Sequence, residues 1–233
     1  IESNPSIYHL GYLIGPRINA GGRVGKCSHG ANLLLNKDPK YTFKLAIELD
    51  QFNKERQMLE KDLLQKILGE TKDYINDPVL VLSGNNWHEG IIGIVAARLK
   101  DKFNKPVIII SVNGDEGKAS ARSIVGFDIG SVIIAATQEN LLLKGGGHKM
   151  AGGFSIKIKN IEKFKIFVFK KYRSINENLK SDKPLLLDSV IAPSAVNLDF
   201  YKKVELLSPF GSGNPEPKFI IENLKTITGK IVG

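Results

Sequence analysis

The sequence has few of the features that would place the protein in a membrane or in an oxidising compartment. Its 233 residues include a single cysteine, Cys27, which excludes a disulfide framework and a zinc site built from cysteines. The longest apolar runs, such as Val107–Ile110, have the length of a strand and are far too short to span a bilayer. A signal peptide is also missing. We therefore expect a cytoplasmic protein without membrane attachment.

The sequence contains a surplus of basic residues. Lysine and arginine number 33 against 24 acidic residues, which gives a formal net charge of +9. Such a surplus favours a polyanionic partner, because cationic side chains that contact phosphates release counterions. A solvated, lysine-rich surface would produce the same surplus. Charge alone therefore leaves both explanations open.

The first part of the chain combines a glycine-rich stretch with a long helical pattern. In Gly15–Arg23, four of nine residues are glycine or proline, which predicts an irregular loop. Apolar residues then recur at steps of three and four, which predicts a helix over 41–70 with Thr42 as its N-cap and Gly69 as its stop. A helix of this length is typical of a connector between two domains.

Alternating strand and helix patterns in 78–178 predict an α/β domain with a mixed sheet. Alternation of apolar and polar residues in Phe154–Ile158 indicates a strand of the edge type. After this domain, 185–233 has the pattern of a β-rich domain that does not close. The chain starts at Ile1 rather than methionine and stops within a predicted strand, 224–232, so we expect both ends to be cuts in a longer protein. The predicted strands of the α/β domain are 78–83, 106–112, 119–123 and 154–158, and its predicted helices are 90–103, 129–138 and 161–172.

Two of three glycine-rich clusters carry arginines suited to phosphate. In the first, Arg17 and Arg23 can grip a phosphate bidentately, although a basic surface turn would look the same. In the second, Ser120 and Arg122 share one face of a strand, because side chains alternate there. A polar sheet edge is the alternative explanation for this second cluster.

The third cluster contains three consecutive glycines, Gly145, Gly146 and Gly147, followed by His148. Ordering such a run costs about 1 kcal/mol per glycine relative to alanine. An anion-binding nest of exposed backbone N–H groups would justify that cost. His148 can donate to a phosphate or to a leaving group, or it can be structural.

A fourth candidate segment, 85–90, lies between a predicted strand and its helix, where α/β folds favour ligands. Trp87 can stack on a base or cap the core. His88 and Glu89 do not form a zinc-binding H-E-x-x-H motif, because Ile92 stands at the position of the second histidine. No clustered carboxylates suited to two metal ions are visible in the sequence.

Five segments, taken in order along the chain, resemble the signature motifs of RecJ exonucleases. Each segment alone is weakly specific, but the ordered set is highly specific. They are Gly15–Arg23, similar to G-P-R-x-N-A-x-G-R; Trp87–Leu99, similar to W-H-x-G-V-I-G-I-V-A-x-R-L; Ser120–Ser123, similar to S-x-R-S; Gly145–Gly152, which contains G-G-H-x-x-A-G; and Pro209–Pro217, similar to P-F-G-x-G-N-P-x-P.

This resemblance implies a DHH-superfamily phosphoesterase and an order of domains. Residues 1–40 would form the C-terminal edge of the DHH catalytic domain, 41–77 the connecting helix, 78–178 a DHH-associated α/β domain, and 185–233 the start of an OB-fold. The intact protein would degrade single-stranded DNA in the 5′→3′ direction during recombination and repair. Two Mn²⁺ or Mg²⁺ ions would be bound by a DHH domain that precedes Ile1. A helicase and a single-strand-binding protein are the expected partners of a monomer.

The resemblance also implies roles for particular side chains, none of which is a metal ligand. His148 would support catalysis, and the other residues would bind the substrate and its phosphates. Two alternatives stay open: a DHH-family phosphodiesterase for oligonucleotides or cyclic dinucleotides, and a nucleic-acid-binding module without catalysis. The residues implied to lie near the scissile or terminal phosphate are Arg17, Asn19 and Arg23. Those implied to form the opposing wall of the substrate cleft are Ser120, Arg122, Ser123, Gly145, Gly146, Gly147 and His148. Trp87 and His88 would line or support that wall.

Overall fold

The computed structural model describes residues 5–70, 74–176, 185–211, 213–225 and 227–230. The chain divides into two compact units, one formed by 14–180 and the other by 1–13 with 181–233. In the described ranges, no helix is both long enough and apolar enough to cross a membrane.

The larger unit contains helices around one five-stranded mixed sheet. This architecture confirms the predicted α/β class. Its helices are α1 (Gly15–Val24), α2 (Ser28–Leu35), α3 (Pro39–Glu70), α4 (Glu89–Phe103), α5 (Ile129–Gln138) and α6 (Ile161–Asn176), and its strands are β1 (Leu80–Asn85), β2 (Val107–Asn113), β3 (Glu116–Arg122), β4 (Lys144–His148) and β5 (Ala151–Lys157).

The strand order of this sheet is β1-β2-β3-β5-β4. Strands β1 and β2 are parallel, and α4 provides the crossover between them, as a parallel pair requires. The other neighbouring pairs are antiparallel. Strands β2 and β3 are joined by a two-residue turn in which Gly114 has a φ of +59°, a backbone conformation that favours glycine.

Each face of the sheet packs against a different pair of helices. On one face, α5 and α6 cover apolar side chains such as Ile108, Ala121 and Phe154. On the other face, α3 and α4 cover Leu80 and Ile109. On this second face the apolar core lies over β1 and β2, and α4 also lies against β3.

The prediction of a loop over Gly15–Arg23 is wrong, because this segment forms most of α1. Pro16 stands in the first turn, where its missing N–H breaks no helical hydrogen bond. Gly21 is buried against α3, and a β-carbon there would lie 3.0 Å from Leu49 Cδ2. The glycine therefore allows close packing of two helices, and tertiary contacts outweigh its poor helix propensity.

Helix α3 begins before the predicted N-cap. Its first residue is Pro39, and the Asp38 side chain accepts a hydrogen bond of 3.0 Å from Lys40 N. The Thr42 hydroxyl donates to the Asp38 and Pro39 carbonyls, so Thr42 lies inside the first turn and the capping prediction is wrong. The predicted stop, Gly69, lies in the last turn of the helix.

A buried ion cluster joins α3 to α4. Glu60 of α3 has a side chain that is only 3% exposed, and its Oε2 accepts a 2.5 Å hydrogen bond from Arg56 Nη1. Arg98 of α4 pairs with the other oxygen of the same carboxylate. Arg56 also donates to Asn53, which is buried on α3. A single carboxylate thus forms ion pairs with arginines of two helices at their crossing.

One prediction about the sheet is corrected by its topology. Of the strand predicted over Phe154–Ile158, all but Ile158 lies within β5, which runs between β3 and β4 and is not at an edge. Ile158 begins a 3-10 helix. Its alternation arises because Phe154 and Ile156 pack under α5 and α6 while the opposite side chains do not join that core. The edge strand on this side is β4, which contains the three consecutive glycines.

Among its described residues the smaller unit contains most of the π-helix His9–Ile14 and the 3-10 helix Pro193–Ala195. Its other elements there are a parallel pair of two-residue strands and an α-helix. They are β6 (Ser189–Val190), β7 (Phe219–Ile220) and α7 (Leu198–Glu205). The Asn197 side chain caps α7 by accepting from Phe200 N at 3.0 Å. The strand predicted over 224–232 is absent from 224–225 and 227–230, and its other positions lie outside the described residues.

Candidate nucleic-acid interface

Strands β3, β5 and β4 carry polar and very small residues on the face opposite α5 and α6. Cross-strand pairing sets them in rows, with Ser120 opposite Gly153 and Gly153 opposite Gly146 in the middle row. Because side chains alternate along a strand, the positions two residues away share this face. We call this surface the polar face; its residues are Lys118, Ser120, Arg122, Ala151, Gly153, Lys144, Gly146 and His148.

Two guanidinium groups meet beside this face. Arg122 is partly buried, and its Nη1 donates to Ala121 O at 2.8 Å and to Ser120 Oγ at 3.2 Å. Burial, and then the nearby charge of Arg23, lower the pKa of Arg122. Arg23, at the end of α1, donates to Gly90 O at 3.1 Å. Within the described ranges neither arginine has an ion-pair partner, so an anion placed between them would relieve their repulsion.

The glycines of β4 have a steric role that the predicted anion nest does not explain. A β-carbon at Gly145 would lie 2.7 Å from Ile133 of α5, and one at Gly147 would lie 2.4 Å from Ala151 O. The strand is extended and pairs with β5, so successive N–H groups point in opposite directions and cannot converge as a nest does. Only Gly146 has open space where a side chain would be, and it lies on the polar face.

Both predicted histidines present the same nitrogen outward. His148 Nδ1 accepts from Met150 N at 3.3 Å, and His88 Nδ1 accepts from Gly90 N at 3.1 Å. When Nδ1 accepts, the neutral ring carries its proton on Nε2. His88 caps the N-terminus of α4, whereas His148 lies at the end of β4 on the polar face. Both residues are exposed, so each can donate from Nε2 to a ligand.

Trp87 lies against the core instead of standing free as a stacking platform. Its indole packs on the α3/α4 core, and a β-carbon added to Gly84 would lie 2.2 Å from the ring. The Trp87 carbonyl accepts a hydrogen bond from the Ser111 hydroxyl. Of the two explanations that the sequence left open, the capping of the core fits these contacts.

Two predicted residues on α1 point in different directions. Arg17 Nε donates to Asp50 Oδ1 of α3 at 2.7 Å, and hydrogen bonds from Lys54 and then Arg17 lower the pKa of Asp50. Arg17 therefore holds α1 on α3. Asn19 is exposed and precedes Arg23 by four residues, so the two share one side of the helix. The structure brings Arg23, and not Arg17, to the polar face.

Ser123 is not available on the polar face. Its side chain is 1% exposed, and its hydroxyl donates to Phe127 O at 2.6 Å. This hydrogen bond closes the turn that follows β3. The predicted phosphate contact by Ser123 is therefore corrected to a structural role at this turn.

Two lysines of the polar face were not among the predicted site residues. Lys118 Nζ forms a 2.8 Å ion pair with Glu89 Oε2, at the start of α4. Lys144 is exposed, and its strand partner Ser155 is also the partner of Lys118. The alternation 118, 120, 122 and 144, 146, 148 would have revealed both lysines if the glycine run had been recognised as a strand.

A divalent-metal site does not fit the residues described. Within those ranges no group of three or more histidine, cysteine, aspartate or glutamate side chains lies together. The polar face instead contains cationic and hydrogen-bond-donating groups, which suit phosphate oxygens.

Two family models match the chain. Residues 76–173 match the DHHA1 domain, and residues 187–233 match the RecJ OB domain. The first match covers the five-stranded sheet with α4, α5 and most of α6. The second covers most of the smaller unit and bears out the predicted OB-fold.

Curated relatives share these features over most of the chain. The single-stranded-DNA-specific exonuclease RecJ of Thermus thermophilus is 33% identical over 215 residues, which are 91% of this chain and 30% of that protein. The protein of the same name from Bacillus subtilis is 28% identical over 221 residues, 92% of this chain and 27% of the relative. The chain thus spans about a third or less of the length of these relatives.

A solved structure supports the same relationship. The crystal structure of Thermus thermophilus RecJ in complex with Mn²⁺ superposes with a TM-score of 0.82 at 31% identity. The superposition covers 93% of this chain and 32% of that one.

Proposed function

Because the chain belongs to the RecJ family, we propose that it forms the nucleic-acid-holding part of a single-stranded-DNA-specific exonuclease that degrades DNA from its 5′ end. The relatives are named single-stranded-DNA-specific exonucleases; the 5′→3′ direction is part of the proposal. The contribution of the residues described is to grip and orient the strand at its phosphates.

The pair of guanidinium groups, Arg23 and Arg122, is the observation that carries this proposal. Burial of the Arg122 guanidinium and repulsion by the exposed Arg23 both lower the pKa of Arg122, and an anion between the two groups would offset both effects. Guanidinium groups bind phosphate oxygens in pairs of parallel hydrogen bonds. Ser120 Oγ, next to Arg122, and His148 add further hydrogen-bond donors on the same face.

The middle row of the polar face gives the strand a floor of one serine and two glycines. Ser120, Gly153 and Gly146 lie side by side on neighbouring strands, and strands are about 4.8 Å apart. This row is therefore roughly 10 Å wide, enough for one nucleoside. Cationic side chains border it, with Arg122 on one side and Lys118 and Lys144 on the other.

The test is a salt titration of the chain binding 5′-phosphorylated single-stranded DNA and a matching duplex. Arg122→Ala should weaken single-strand binding about tenfold, which corresponds to about 1.4 kcal/mol. The slope of log affinity against log salt should fall by about 0.7 for one lost phosphate contact. Arg173→Ala is the matched control, because Arg173 is exposed on α6, which packs on the opposite face of the sheet.

Each result bears directly on the proposal. Preference of the wild-type chain for the single strand, lost in the Arg122 variant alone, supports it. Equal affinity for single strand and duplex, or equal effects of the Arg122 and Arg173 variants, would refute it. A dinucleotide that competes as strongly as a long single strand would indicate a phosphodiesterase for short substrates instead.

The remaining elements of the proposal concern the intact protein. Two Mn²⁺ or Mg²⁺ ions would be held by residues outside those described here, in agreement with the relatives crystallised with these ions. We place the protein in the cytoplasm as a monomer, with a helicase and a single-strand-binding protein as its protein partners. Their contacts are not assigned to any residue of this chain.

A further inference from the structure

We propose that Gly93 of α4 is a positioning residue for the Arg122 guanidinium. The proposal rests on the proposed function, since it concerns the same phosphate grip. Gly93 makes no hydrogen bond to a ligand and would act only through the space that it leaves empty.

Helix α4 crosses β3 so closely that Gly93 lies against the grip. A β-carbon at this position would lie 2.9 Å from Ser120 Oγ and 3.0 Å from Arg122 Nη2. The other terminal nitrogen, Nη1, is already held by Ala121 O and Ser120 Oγ. The guanidinium therefore fills the space that the missing side chain leaves.

The neighbouring glycine of the same helix is a useful contrast. A β-carbon at Gly90 would lie 2.1 Å from Arg23 O, a backbone atom of α1. A backbone clash forces two elements apart, whereas the end of an arginine side chain can move away at little cost. Gly90 is therefore needed for the fold, whereas Gly93 is needed for the placement of two side-chain ends, the Arg122 guanidinium and the Ser120 hydroxyl.

Substitution of Gly93 by alanine should therefore affect thermal stability and DNA binding in opposite directions. Alanine is a better helix former than glycine, so Gly93→Ala should leave the melting temperature unchanged or raise it. The same methyl group should displace Arg122 Nη2 from its position and weaken single-strand binding. A merely structural glycine would lower both quantities together.

The experiment measures single-strand affinity and melting temperature for Gly93→Ala. Gly69→Ala is the matched control, because Gly69 also lies in a helix and a β-carbon there meets nothing within 4 Å. Gly93→Ala should lower the affinity for 5′-phosphorylated single-stranded DNA about tenfold, and Gly69→Ala should not. In the Arg122→Lys background, which lacks Nη2, the Gly93 substitution should have little further effect, because residues that act through one contact are not additive.

A readout without DNA separates this proposal from the function on which it rests. The NMR signal of the Arg122 side-chain N–H should shift in Gly93→Ala and stay in place in Gly69→Ala. If the wild-type chain does not bind single-stranded DNA, the proposed function fails, and this signal still decides whether Gly93 positions Arg122. An unmoved signal, an unchanged affinity in a wild-type chain that binds, or a melting temperature lowered by more than about 5 °C would overturn the inference.

Discussion

The ion pair between Lys118 and Glu89 leads to a prediction of stronger binding. Glu89→Gln should increase the affinity for single-stranded DNA, because it frees a lysine of the polar face and removes the carboxylate beside it. The two side chains are 64% and 49% exposed and their charged atoms lie 2.8 Å apart. Exposed pairs of this kind contribute about 0–1 kcal/mol, so the folded state should tolerate the change.

The size of the effect follows from the number of cations that can contact phosphates. Arg23, Arg122 and Lys144 have no carboxylate partner in the ranges that the structure describes, and Lys118 would become the fourth. Each added phosphate contact steepens the dependence of log affinity on log salt by about 0.7 for a single strand. Between about 50 and 200 mM salt, the advantage of the variant should therefore shrink about 2.6-fold.

Fluorescence anisotropy of a labelled single strand at several salt concentrations measures both quantities. Glu162→Gln is the control, because it makes the same charge change on α6, on the other face of the sheet. The control should raise the affinity little and leave the slope unchanged. If Glu89→Gln leaves the slope at the wild-type value, Lys118 does not contact the strand and the polar face is not the binding surface.

Three further substitutions test the packing that holds the grip in place. Glu60→Ala should lower the free energy of unfolding in urea by about 3–5 kcal/mol, because it leaves Arg56 without its buried counter-ion. Arg98→Ala should lower it by less than about 1 kcal/mol, because the Arg98 side chain is 61% exposed. Equal losses would contradict the assignment of Glu60 as the central group of the cluster. Gly90→Ala should lower the melting temperature by more than about 5 °C in circular dichroism because its β-carbon would meet Arg23 O, and a wild-type melting curve would show that α1 can move aside.

The elements with periodic sequences were predictable. Helix α5 was predicted with both of its ends, Ile129 and Gln138. The structure shows local and tertiary reasons for these ends: Asp128 caps the helix, and its buried residues pack on the core. The α/β class followed from the alternation of strand and helix patterns along the chain. The alternation of side chains along a strand placed Ser120 and Arg122 on one face. In these segments local preference and tertiary packing favour the same structure.

Glycine-rich segments were mispredicted because their role depends on distant neighbours. The sequence of α1 contains no sign that Gly21 would meet Leu49 of α3. Likewise, Gly145 and Gly147 favour a loop by composition, yet they form a strand because α5 and β5 approach their backbone. The ion pairs of charged side chains could not be predicted for a similar reason. Arg17, for example, pairs with Asp50, which lies 33 residues away in the chain.

The position of β4 at the border of the sheet also bears on solubility. A border strand has unpaired backbone groups, which can recruit a second chain and start aggregation. Here that strand has only five residues, starts at Lys144, and is followed by Lys149. Short length and positive charge at both ends are devices by which natural sheets avoid such pairing. The charges that suit a polyanion therefore also help to keep copies of the protein apart.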